Sequence, residues 1–311
     1  MSYAQFGLIE ATDYNNLIGA NPGSTANALN TVWSTGSASA GYGQTGLSNV
    51  TVGATVAASE WANLVNRTSN AATHQGSSLS SVTAPSTGGT ITYLGNVVTN
   101  LQTIYTNRLN ASTQSSTSSN AVTRGTTWST NIVFTHTATF ANGDAARYFF
   151  NSGGQLAITC SHPNTADPQN QTFNSLATAI GTVVLSAMSS GTATIVGTSY
   201  SGVTKVGGSG SPTVNSNNGY YAWSTSNANC FTQTAGSGLY TNSLINVTVK
   251  TNGTQGSNSD RGSVVTIYTT WDVVPDVTIG SGSVTTLTVR PPEVTNISNT
   301  WGTITLAGSV A

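Results

Sequence analysis

From residue 131 onward the apolar side chains alternate with polar ones, a period of two that suits an extended strand with one face buried. In NIVFTHTATF, Ile132, Phe134, His136, Ala138 and Phe140 share one side, and Val133, Thr135, Thr137 and Thr139 share the other. QLAITC, TVVLSAM, TATIVG, LINVTVK, SVVTIYTTW and SVTTLTVR continue in the same style, rich in the Val, Ile and Thr that fit a pleated surface. Gly, Asn and Ser turns separate these runs, the mark of an antiparallel sandwich. Asn142-Gly143 reads as one such turn, with Asp144 and Arg147 pairing across it in solvent for under about 1 kcal/mol. One stretch, Thr172 to Ile180, breaks the pattern: Phe173, Leu176, Ala179 and Ile180 recur at helical spacing.

Before about residue 125 the period is helical. A first helix follows Thr12 through Tyr14, Leu17 and Ile18 and stops at Gly19; a second runs from about Thr25 through Ala28, Leu29, Val32 and Trp33 to Gly36. A third runs from about Ala58 through Trp61, Leu64, Val65 and Thr68 towards His74 and ends at Gly76. The fourth carries Ile91, Leu94, Val98, Leu101 and Tyr105 at alternating spacings of three and four, a seam along which two or more helices can wind together. Packing against the preceding helices accounts for that seam equally well. Residues 111–122, ASTQSSTSSNAV, are polar and of low complexity. The expected fold is therefore α+β: a helical region over 1–110, a polar linker over 111–125, and a mainly antiparallel β-sandwich over 126–311.

Chemistry is sparse along this chain. Charged residues make up 5% of it, against about 25% in an ordinary domain. The formal net charge is −1 and the eight basic residues are scattered, so phosphate backbones have no clustered cation to meet and nucleic acid is not an expected partner. No run of 18 apolar residues exists, so no membrane insertion is expected, and the amino-terminal stretch has neither the basic nor the apolar segment of a secretory signal. Such a surface has little charge repulsion to keep copies apart.

Cys160 and Cys230 form no CxxC pair and read as buried small side chains; a disulfide between them needs geometry to judge. Cys160-Ser161-His162 holds two metal-ligand types, half a site, and His136 sits on the apolar side of its strand. Asp260, Asp272 and Asp276 are the carboxylates a glycosidase pair would draw on, but they read as solvated turn residues. No nucleophile elbow, phosphate loop or dinucleotide fingerprint occurs, so neither catalysis nor a cofactor is expected. Tyr220, Tyr221 and Trp223, in NNGYYAWS, offer rings beside Asn and Ser, a combination that suits sugar faces; strand alternation would bury half of such rings, and core packing is the favoured reading over glycan contact.

Two stretches carry a family resemblance. FGLIEATDYNNLIG with NALNTVWSTGSASAGYGQTGLSNVTVGATVAASEWANLVNRTSNAATHQG resembles the start of virion structural proteins of tailed phages, notably cyanophages. TWSTNIVFTHTATFANGDAARYFFNSGGQLAITCSHP and VKTNGTQGSNSDRGSVVTIYTTWDV resemble the β-rich part of the same proteins. The resemblance implies a structural protein of the virion tail, fibre-like or attached to the baseplate, made in the host cytoplasm. It implies partners among other tail or baseplate proteins, self-association as a homotrimer, and a β domain turned outward, towards a host surface glycan. A head or neck decoration protein and a polysaccharide-degrading tail spike are the alternatives.

Overall fold

A computed structural model describes residues 10–19, 27–87, 94–236, 240–253 and 262–311. Four helices lead: α1 (Ala11–Ile18), α2 (Leu29–Trp33), α3 (Ala58–Gln75) and α4 (Leu94–Thr106). Their ends obey local chemistry. The Asp13 carboxylate accepts from the Glu10 N–H, and the Glu60 carboxylate accepts from the Ala57 N–H at 2.7 Å, so orphan amides at both helix starts are satisfied from within. Gly19 and Gly76 close α1 and α3 in the left-handed conformation, at φ 87° and 70°, where a side chain would be strained.

Thirteen strands follow among the described residues: β1 (Ser118–Arg124), β2 (Asn131–Thr139), β3 (Gln155–Ser161), β4 (Thr182–Leu185), β5 (Ala193–Ile195), β6 (Thr198–Tyr200), β7 (Val203–Val206), β8 (Thr213–Val214), β9 (Ala228–Thr234), β10 (Leu244–Thr251), β11 (Val264–Asp272), β12 (Ser283–Arg290) and β13 (Thr305–Val310). They build a five-stranded sheet, β1-β12-β3-β4-β7, and a six-stranded sheet, β13-β2-β11-β10-β9-β8, with β5-β6 as a separate hairpin. All named strand pairs are antiparallel. The α+β class with a sandwich-like arrangement is thus what the chain adopts. Alternation does the sorting: Ile132, Phe134, His136 and Ala138 of β2 are buried, as are Val265, Ile267, Thr269 and Trp271 of β11.

Two insertions within the β region are helices. α6 (Pro168–Ile180) covers the helically spaced stretch read from the sequence and starts on a proline, whose missing N–H costs nothing in a first turn. α5 (Gly143–Asn151) corrects the turn expected at Asn142-Gly143. Asn142 is its N-cap, accepting from the Ala145 N–H at 2.8 Å, and Ala145, Ala146, Phe149 and Phe150 then form a buried helical face. Phe149 and Phe150 meet edge to face with centroids 5.1 Å apart, each burial contributing roughly 1.5–3 kcal/mol.

The stretch expected as a linker is in part a strand. Residues 118–124 form β1, in register with β12 from Ser118↔Val289 to Arg124↔Ser283. Nor do the helical and β regions stand apart: one apolar cluster runs from Ala11 and Trp61 through Phe150 to Trp271 and Trp301. Loop 35–44 is fastened to α5 by Arg147, which is buried and donates to the Ala40 carbonyl at 2.8 Å and to the Thr35 carbonyl at 2.7 Å. Its pairing with Asp144, at 3.0 Å, is an i,i+3 contact along the helix, and the guanidinium is withdrawn from solvent rather than solvated. Gln44 and Ser298 exchange two hydrogen bonds, both 2.9 Å, and the Thr300 hydroxyl donates to the Tyr42 carbonyl.

Candidate functional site

The residues singled out from sequence fall mostly inside the molecule. In α4 the buried positions are Val97, Asn100, Leu101 and Ile104, while Val98 is exposed and Tyr105 half-buried. The seam's buried member Leu101 therefore packs in the chain's own core, and Val98 faces away from it. Ile91 lies outside the described residues, and Leu94 opens the helix. The phase is set by Asn100, whose amide donates to the Ser80 carbonyl and accepts from the Ser80 N–H, both at 2.8 Å, fixing this face inward.

Tyr220 and Trp223 are each 1% exposed, so these aromatic residues are core and offer no ring to a sugar. Tyr220 stacks on Phe150 with centroids 4.3 Å apart, and the Trp223 indole donates to the Asn218 carbonyl at 2.7 Å. Tyr221 is half-buried, its hydroxyl donating to the Ala38 carbonyl at 2.7 Å and meeting Asn151 Oδ1 at 2.5 Å. Burial pushes both tyrosine hydroxyls well above their ordinary range. Asp272 ends β11, Asp276 is exposed in the loop beyond, and Asp260 lies outside the described residues. Cys160 and Cys230 are free thiols, each pushed up to about 12 by burial, so neither is a thiolate at neutral pH. Among the described residues no three His, Cys, Asp or Glu side chains gather as a metal site, and no helix is long and apolar enough to cross a membrane.

Three polar constellations were not legible in the sequence. The first is a buried relay. Ser283 Oγ lies 2.9 Å from His162 Nδ1, and His162 Nε2 lies 3.1 Å from Asn170 Oδ1. Asn170 Oδ1 also accepts from the Gly280 N–H at 2.8 Å, so His162 donates from Nε2 and accepts the Ser283 hydroxyl proton at Nδ1. Ser283 Oγ in turn accepts from the Trp128 indole at 3.2 Å. The order serine, histidine, asparagine is that of a nucleophile, base and orienting group. Ser283 is 0% exposed, however, and its oxygen is already engaged on both sides, which leaves no approach for a substrate. Burial pushes His162 below the ordinary histidine value and keeps it neutral.

The second constellation joins the helical region to the sandwich. His74, on α3, is fully buried; its Nε2 lies 3.0 Å from the Ser152 carbonyl and its Nδ1 3.2 Å from Glu293 Oε1. Glu293 also accepts from the Thr295 N–H, the Asn296 N–H and the Asn296 side-chain amide, so it is a carboxylate surrounded by donors. Each ring nitrogen of His74 thus faces an oxygen. The hydrogen bond from His74 holds the Glu293 carboxyl down to about 2, its backbone and amide donors adding to the effect against burial.

The third is an open groove of about 780 Å³ between α6 and β9, floored by Leu176 and edged by Gln171, Ser175, Ser211, Gln233 and Thr234. Among the described residues no charged side chain lines it. Partners so far apart in the chain, such as His74 and Glu293, leave no local signature; the one usable hint was His162 beside a strand end with Asn170 eight residues on.

Comparison with known proteins yields no match at all: no family model fits the chain, and no curated protein and no solved structure is similar to it.

Proposed function

We propose that this chain is a non-enzymatic structural component of a phage virion tail, a fibre or baseplate-attached protein. The observation that carries the reading is the way it is held together. Polar side chains bond to backbone carbonyls where the helical region meets the sandwich, as Arg147, Asn151, Gln44 and Tyr221 do, while charged residues are 5% of the chain. Bonds of that kind persist through changes of salt, since screening acts on exposed charges and not on buried hydrogen bonds. A particle protein outside the cell needs such persistence more than it needs regulation.

Among the described residues the helical and β regions share one apolar core, so in this reading the helical part anchors and the β domain faces outward as two ends of one block. Host-surface contact, if the block makes it, falls to the uncharged groove beside α6, whose hydroxyls and amides match a neutral polyhydroxy ligand. Mass spectrometry of purified particles separated into heads and tails tests the assignment. The chain is expected in the tail fraction; recovery with heads selects a decoration protein, and absence from particles overturns the proposal. Turnover of a host polysaccharide by the purified protein would instead select the tail spike.

A further inference from the structure

We infer that β13 is a self-pairing edge through which two copies of this chain join about a two-fold axis. The inference stands on edge geometry and does not depend on where, or whether, the protein sits on a particle. Ala311 and Val133 exchange hydrogen bonds, N–H to C=O in both directions. In the same register Ser309↔Thr135, Ala307↔Thr137 and Thr305↔Thr139 are the bonded pairs between β13 and β2. Leu306, Gly308 and Val310 therefore turn their N–H and C=O groups away from β2. Among the described residues no strand pairs with that side. β1 covers the inner face instead: a Cβ on Gly308 would meet Val122 Cγ2 at 2.4 Å.

The other three sandwich edges are each blunted in a way β13 is not. β8 is two residues long, β7 contains Lys205, and β1 ends in Arg124. Short length and charge are the ordinary guards against edge pairing. β13, TLAGSV, is six residues long with no charge and no proline, and its Gly308 is exposed. The occupant that fits is a second copy. Antiparallel pairing centred on Gly308 sets Leu306 opposite Val310 of the copy, and Gly308 opposite Gly308, so all three outward N–H groups on each strand find a carbonyl. It also sets Ala307 opposite Ser309, two small exposed residues that let the ribbons lie flat. With a formal net charge of −1, identical chains approach with little repulsion.

The register makes the test specific. Light scattering and sedimentation of the full chain, across roughly 1–100 μM because two paired strands bury less than a standard interface, should show twice the 31.7 kDa chain mass at the upper end. Ala307→Lys with Ser309→Lys sets lysine against lysine across the axis and is expected to give monomer. Ala307→Lys with Ser309→Glu sets opposite charges together and is expected to restore the dimer. Val310→Pro removes an outward N–H while sparing the β2 ladder and should also give monomer. Circular dichroism should be unchanged in all three. A monomeric wild type or a three-chain mass overturns the inference. So does a dimer indifferent to the lysine pair, or one that only Ala121→Lys on β1 dissolves.

Discussion

The junction between helices and sandwich and the interior of the sandwich use buried polar groups in opposite ways. At the junction nearly every polar atom is partnered: Arg147 with two carbonyls and a carboxylate, His74 with a carbonyl and a carboxylate, Gln44 with both backbone groups of Ser298. Between the sheets, both ring nitrogens of His136, the hydroxyl of Thr269 and the indole N–H of Trp271 have no partner among the described residues. Burial pushes His136 below the ordinary histidine value; the Thr285 backbone tempers the shift without completing a hydrogen bond. Strand ladders already fix the backbone of β2, β11 and β12, so these unpartnered side chains need only fill space. Among the described residues the helical region has no ladder to the sheets. Its docking geometry comes from directional bonds, which is why removing a partner should cost most there.

Arg147→Met is expected to show the largest effect, since it strands the Thr35 and Ala40 carbonyls: a loss of about 3–5 kcal/mol in denaturant unfolding. A loss under about 1 kcal/mol would mean the junction is held by apolar packing alone. Glu293 comes next. Its carboxyl is held at about 2 instead of 4.5, so its contribution is fully present above pH 4.5 and is lost as pH falls towards 2. That contribution is on the order of 3 kcal/mol at most. Glu293→Gln should lower stability at pH 7 and flatten the acid limb of a melting-temperature profile; an acid limb as steep as wild type would assign it to other carboxylates. His136→Leu should run the other way, stabilising by up to about 1 kcal/mol or leaving stability unchanged, because it replaces an unpartnered ring with an apolar side chain of similar size. Destabilisation by more than about 2 kcal/mol would show that the interior polar atoms are partnered in solution, by bound water for instance. Val98→Ala, on the exposed face of α4, should stay within about 0.5 kcal/mol in the same assay.

The contrast also explains what could be read from the residues alone. Alternation in β2, β10, β11 and β12 was legible because a half-buried strand writes its environment into every second residue. α1 and α3 were legible through their apolar faces and closing glycines. α5 was not, because Asn142-Gly143 serves equally as a hairpin turn and as a helix start, and only the position of the Ala145 N–H decides. β1 was hidden because an edge strand is held by its ladder to β12 and needs no apolar face, so SSNAVTR reads as linker. The α4 seam was read one residue out of phase because an asparagine, Asn100, turns inward to bond Ser80. Tyr220 and Trp223 take the core place that packing favoured, and beside them Gly219 fits so closely against the Met188 carbonyl that no Cβ has room there. Apart from His162 and Asn170, eight residues apart, the groups of the His74–Glu293 junction and the Ser283 relay could not be joined by reading along the chain.

The bonds from Gln44 and Tyr42 to Ser298 and Thr300 span 254 and 258 residues of sequence. On a ribosome adding roughly 5–20 residues per second, the helical region therefore waits on the order of 13–50 s for its docking surface to emerge. During that interval Trp61, Leu64 and Ile104 have the apolar residues of α1 and α2 to pack against, such as Tyr14 beside Trp61, but the bonds to residues 298–300 are not yet made. The opening third of the chain is made first and completes its contacts last.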